Sequence, residues 1–91
     1  MFGKSRIIER TAEGESLDLT GIGDGESVRV VGLLGGLETV GRLEAMGIGL
    51  GAVIAKKSSA LRRGPIVIEK GSTHLALGYS IAKGILVEPV G

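Results

Sequence analysis

Three stretches of the chain carry residue types at spacings that could do chemistry. The first is VRVVGLLGGLETVG, residues 28–41, a β-branched run followed by glycines and then by helical spacing. Strand, glycine-rich turn and helix in that order are what a dinucleotide-binding loop needs, because backbone amides must approach a pyrophosphate at a helix N-terminus. The fingerprint is G-x-G-x-x-G, and its second glycine permits that approach. Here Leu34 takes that place, with glycines at 32, 35 and 36. The acidic residue that would hold the ribose about 20 residues further on is missing too, since that region reads AVIAKK. A steric hinge, in which Gly35 and Gly36 turn the chain from a strand into a helix, accounts for the same residues. GIGDG (21–25) and GIGLG (47–51) each lead into a strand, so neither presents an anion with a helix N-terminus. Gly3-Lys4-Ser5 ends like a P-loop but has no room for the strand and first glycine that must precede it.

The second stretch is THLALG (73–78), which holds His74, the only histidine, among ten acidic residues in the chain. Alternation along a strand puts His74 on the face opposite Thr73, Leu75 and Leu77, pointing outward. As a metal ligand it would need carboxylate partners, and no H-x-x-E or paired-carboxylate spacing supplies them. Asp18, Asp24 and Glu26 are read as solvated carboxylates around a turn. No nucleophile–base pair and no carboxylate dyad is in reach, so the chain is not expected to be an enzyme or to hold a cofactor.

The third stretch gathers Lys56, Lys57, Arg62 and Arg63 in or beside one hairpin loop, with Leu61 as an apolar tip. Such a loop could meet an acidic protein surface or a nucleic acid backbone. Single-stranded nucleic acid is held by stacking on aromatic rings, and this chain has only Phe2 and Tyr79. The same lack excludes an aromatic-lined polyproline groove. These five residues, Lys56, Lys57, Leu61, Arg62 and Arg63, are therefore the expected protein-docking site, weighed against an ordinary solvated loop.

The elements that must position these residues belong to one small domain. The chain has 91 residues, a net charge of +1, no cysteine and 17 glycines. The cysteine count rules out disulfides, iron–sulfur clusters and thiolate zinc sites, and fits a reducing compartment. No apolar run approaches the ~20 residues of a membrane span, and MFGKSRIIER lacks a signal peptide's apolar core, so a cytoplasmic protein is expected. With so few rings the core must be aliphatic, and so many glycines favour short strands and tight turns. Residues 1–16 read as a mobile arm or an extra edge segment, and 17–91 as the domain. Strands are expected at Val28–Val30, 52–57, 65–70, 73–78 and 85–90, the third and fourth joined tightly across Gly71-Ser72. Pro89 puts the end of the last strand at an edge. Leu37, Val40, Leu43 and Met46 form the apolar stripe of one short helix ending at Gly47, and YSIAKG (79–84) one further helical turn. Alternation and the helix stripe assign the core to Val28, Val30, Leu43, Val53, Ile66, Ile68, Leu75, Leu77 and Val87. Five short strands and one inserted helix suggest a small, partly closed barrel.

The ordered set Leu17, Gly25–Val30, Arg42-Leu43, Gly47, Gly51-Ala52-Val53, Gly64-Pro65-Ile66-Val67, Gly71, Leu75-Ala76-Leu77, Ile81-Ala82 and Ile85-Leu86-Val87 resembles the FeoA family. These are small cytosolic accessory proteins of bacterial ferrous iron transport. The match spans about residues 17–90 and includes a pattern like the family's R-L-x-x-[LM]-G-[LI]-x-x-G-x-x-[VI]. Gly78 departs from it, standing where members often carry arginine. The resemblance implies a mainly β fold with a short inserted helix, a small SH3-like β-barrel. It also implies a role as adaptor to FeoB, the membrane iron permease with a cytosolic GTP-binding domain. A divalent-metal-binding or metal-sensing module using carboxylates and His74 is the second reading.

Overall fold

A computed structural model describes residues 17–59 and 64–90. The expected N-terminal arm and the tip of the basic hairpin, with Leu61, Arg62 and Arg63, lie outside the described residues.

Among the described residues six antiparallel strands form one sheet: β1 (Leu17–Asp18), β2 (Ser27–Leu33), β3 (Val53–Ser59), β4 (Ile66–Lys70), β5 (Thr73–Leu77) and β6 (Ile85–Pro89). Their order across the sheet is β1-β6-β2-β3-β4-β5. The five expected strands are present, and β1 is an addition of two residues. Among the described residues the sheet is not closed, a correction to the expected barrel, because the end strands β1 and β5 do not pair with each other. Pro89 lies beyond the two residues of β6 that β1 pairs with, Leu86 and Val87. Helix α1 (Leu37–Ala45) is inserted between β2 and β3, and the single-turn helix α2 (Tyr79–Lys83) between β5 and β6.

Local chemistry explains these boundaries. Gly25 follows Asp24 in a turn at φ +91°, and Gly71 opens the two-residue turn between β4 and β5 at φ +61°. Helix α1 stops where Gly47 takes φ +90°. There Gly47 N–H donates to the Glu44 carbonyl at 3.0 Å and Ile48 N–H to the Leu43 carbonyl at 2.9 Å. This paired closure satisfies carbonyls that the helix end would leave open. It also seats Ile48 beside Leu43, both buried.

The core is aliphatic, with Leu19, Ile48, Ile54, Ile66, Ile68 and Ile85 shielded from solvent. Each such side chain contributes roughly 1.5–3 kcal/mol through burial. Of the expected core, Val28, Val30, Leu43, Ile66, Ile68, Leu77 and Val87 are buried, and Leu75 is half-buried against them. Val53 is not: it is 45% exposed. In AVIAKK two adjacent β-branched residues compete for one inner position, and only one of two neighbours on a strand can face in. The register settles it, because Ile54 lies opposite buried Val28. The choice carries to the next inner position, which is Lys56, 3% exposed.

Candidate functional site

Lys56 thus turns inward, away from the docking surface expected of it. Its Nζ donates to the Ile22 carbonyl at 2.8 Å. The same residue holds the 22–26 turn through its backbone, accepting from Gly25 N–H at 2.6 Å and donating to the Glu26 carbonyl at 3.0 Å. Its work is internal. Lys57 does face solvent, and its Nζ lies 3.4 Å from Glu69 Oε1. The structure therefore brings together only Lys57 of the five expected docking residues on a described surface.

His74 points outward, as alternation requires, with Nε2 3.4 Å from Glu69 Oε2. Glu69 is therefore shared between a lysine and the histidine on neighbouring strands. No group of three or more His, Cys, Asp or Glu side chains that could hold a metal forms among the described residues. The turn carboxylates have local tasks: Asp18 accepts from Thr20 N–H at 2.8 Å and from its hydroxyl, and Glu26 accepts from Gly23 N–H at 3.3 Å.

The feature best suited to meet another molecule is apolar. Between α1, the end of β2 and the turn before β3 lies a groove of about 390 Å³, lined by Leu33, Leu37, Val40, Gly41, Glu44 and Leu50. The hinge builds it. Leu33 ends β2, and the chain turns through Leu34-Gly35-Gly36, with Gly35 at φ +138°, into the first turn of α1. The hinge is tied down by Leu34 N–H donating to the Gly84 carbonyl at 2.8 Å. Contact there is so close that a Cβ on Gly84 would sit 2.8 Å from the Leu34 carbonyl oxygen.

Helix α1 packs through its middle only. Val40 and Leu43 are buried, while Leu37 overhangs the sheet at 82% exposure and Met46 is exposed at the other end. Leu50, in the glycine-rich turn, is 61% exposed. Large aliphatic side chains held this far into water mark a contact surface when they line one concavity. Glu44 supplies the groove's polar edge. The Glu38–Arg42 pair on the outer helix face, at 3.8 Å with both side chains mostly exposed, adds little stability. The helix stripe holds Leu37, Val40, Leu43 and Met46, of which Val40 and Leu43 are buried while Leu37 and Val40 line the groove. Leu50 had a signal in GIGLG, a leucine flanked by glycines too small to cover it.

Strand, hinge and helix follow in that order along the opening glycine run, which shapes an apolar groove, and Gly36 is the N-cap of α1 with no side-chain cap.

Comparison with known proteins agrees with this architecture. The family model described as the FeoA domain matches residues 17–89. A crystal structure of an iron uptake regulatory protein, FeoA, superposes with a TM-score of 0.75 at 32% identity, covering 84% of this chain and all of that one. The solution structure of a FeoA-like protein from Clostridium acetobutylicum gives 0.73 at 27% identity, over 86% of this chain and 91% of that one. A manganese-dependent transcriptional repressor shares the fold alone, with a TM-score of 0.75 at 20% identity, over 82% of this chain and 42% of that one. No curated protein sequence matches the chain. With the family model covering most of its length and the FeoA structure matched end to end, the chain belongs to the FeoA domain family, whose members take part in ferrous iron transport.

Proposed function

We propose that this protein is a small cytoplasmic, non-catalytic adaptor of ferrous iron transport that docks on the cytosolic part of a FeoB-type permease. The observation that supports docking is the groove beside α1, where Leu37 and Leu50 stand exposed around a concavity deep enough for an apolar side chain of a partner. A few residues buried near the centre supply most of the energy of such contacts. Among the described residues no helix is long and apolar enough to cross a membrane, so the permease, not this chain, supplies the membrane path in this reading.

The basic segment has a secondary part. Lys57, Arg62 and Arg63, with Leu61 between the pairs, steer the approach of an acidic partner surface. Exposed rim charges set association rate and salt dependence more than affinity. Lys56 is left out of this segment because it is buried.

The test is calorimetry or surface binding with the cytosolic domain of the cognate permease. Leu37→Asp and Leu50→Asp should each weaken binding at least ~tenfold, as loss of a central apolar anchor does, while the far-UV spectrum stays unchanged. Binding unaltered in both folded variants would remove the groove from the interface. Reversing Arg62 and Arg63 to Glu should slow association at low salt and flatten its salt dependence. Unchanged rates at two ionic strengths would remove the basic segment. The metal-sensing reading has His74 and Glu69 as its start, and saturable local shifts near His74 in a metal titration followed by amide NMR would favour it.

A further inference from the structure

We infer that the free edge of β5 pairs with β5 of a second copy of this chain, continuing the sheet antiparallel across a two-fold axis at Leu75. The inference starts from the parity of the strand. The two-residue turn Gly71-Ser72 joins Lys70 to Thr73, which makes these two a hydrogen-bonded pair. Alternation then gives the Ile68–Leu75 and Ile66–Leu77 pairs the same status, so Thr73, Leu75 and Leu77 spend their backbone groups on β4. The N–H and carbonyl groups of His74 and Ala76 point the other way, off the sheet. No backbone bond to either is made outside the strand pairing among the described residues.

An exposed edge of this kind is a template for another strand, and proteins guard against it with short strands, lysines, prolines or bulges. The opposite edge strand, β1, has two described residues, Leu17 and Asp18. The β5 edge runs five residues, THLAL, with no lysine, no proline and no register shift.

The occupant follows from self-complementarity. With the axis at Leu75, His74 lies opposite Ala76 of the second copy, and Thr73 opposite its Leu77. Every residue of the strand is matched and no like charges face each other. The outward groups of His74 and Ala76 make the hydrogen-bonded pairs, and Leu75 meets its own copy at the closer, non-hydrogen-bonded spacing. Leu75 is half-buried against the core, so its copy covers the part the core leaves open. Beyond the strand ends Ser72 faces Gly78 of the other chain. Gly78 has no side chain and nothing within 4 Å of where one would be, so the flanks do not collide.

One strand pair is a small interface, below the size of stable complexes, so the dimer should be weak and reversible. Sedimentation of the full chain over a range from ~1 μM to ~1 mM, together with residue-resolved amide exchange, tests this. The expected result is a concentration-dependent dimer, with the His74 and Ala76 amides slowing as concentration rises. Ala76→Pro removes an N–H that β4 does not use, a replacement edge strands tolerate, and should raise the dissociation constant at least tenfold. A chain that stays monomeric to the top of the range overturns the inference, as does a dimer indifferent to Ala76→Pro. Protection of the two amides at all concentrations would also overturn it, because the chain's own residues would then cover the edge. So would protection that appears only with the permease domain present, which would make the occupant a different strand. If Ala76→Pro fails to fold, the exchange measurement on the unaltered chain still decides.

Discussion

Replacing Lys56 by alanine separates an internal role from a surface one. The residue is 3% exposed and its Nζ closes a 2.8 Å bond to the Ile22 carbonyl. Truncation leaves that buried carbonyl without its partner, which costs about 1–3 kcal/mol. It also withdraws three buried methylenes, worth about 0.8 kcal/mol each. Against this, the side chain regains about 1.5–2 kcal/mol of rotamer entropy that folding had frozen. The balance is a loss of about 1.4–3.9 kcal/mol, a large share of the stability of so small a domain. For a domain of this size that corresponds to a melting point lower by about 6–31 °C. Urea unfolding followed by circular dichroism, with the slope unchanged, measures it. Lys56→Met keeps the methylenes and should recover about half the loss. An exposed lysine on a docking surface would change stability by no more than about 0.5 kcal/mol. If Lys56→Ala unfolds within that margin of the wild type, the inward lysine and the parity argument for β3 are both wrong.

The remaining predictions use the same physics. Leu43→Ala should cost about 2–5 kcal/mol as a core truncation, whereas Leu37→Ala, at an overhanging position, should leave the melting point within a few degrees. Gly84→Ala forces a Cβ to 2.8 Å from the Leu34 carbonyl oxygen and should destabilise by about 1–3 kcal/mol, while Gly78→Ala, facing open space, should not. Gly47→Ala meets φ +90° and should lower stability by about 1 kcal/mol or more in thermal unfolding. Calorimetry with GTP, ATP and NAD should show no saturable heat, and a micromolar dissociation constant for any of them would overturn the hinge reading of residues 28–41.

Much of this protein is written in local sequence. Alternation located the strands from β2 to β6, Gly71-Ser72 fixed the β4–β5 turn, and Gly47 marked the end of α1. Leu34 in place of a glycine was enough to set the nucleotide fingerprint aside. These signals are legible because period, turn chemistry and capping act within a few residues. What sequence could not supply was phase. Whether Val53 or Ile54 faces in depends on the register against Val28, a contact with a distant strand, and with that choice goes the direction of Lys56. The same holds for Leu37, whose stripe is correct but whose neighbour depends on how far α1 overhangs the sheet. The groove exists only because the fold brings Leu33, Leu37 and Leu50 to one place. The open sheet was hidden for a like reason: closure requires two end strands to meet, and pairing between strands is decided by the whole chain's packing, not by either strand's residues.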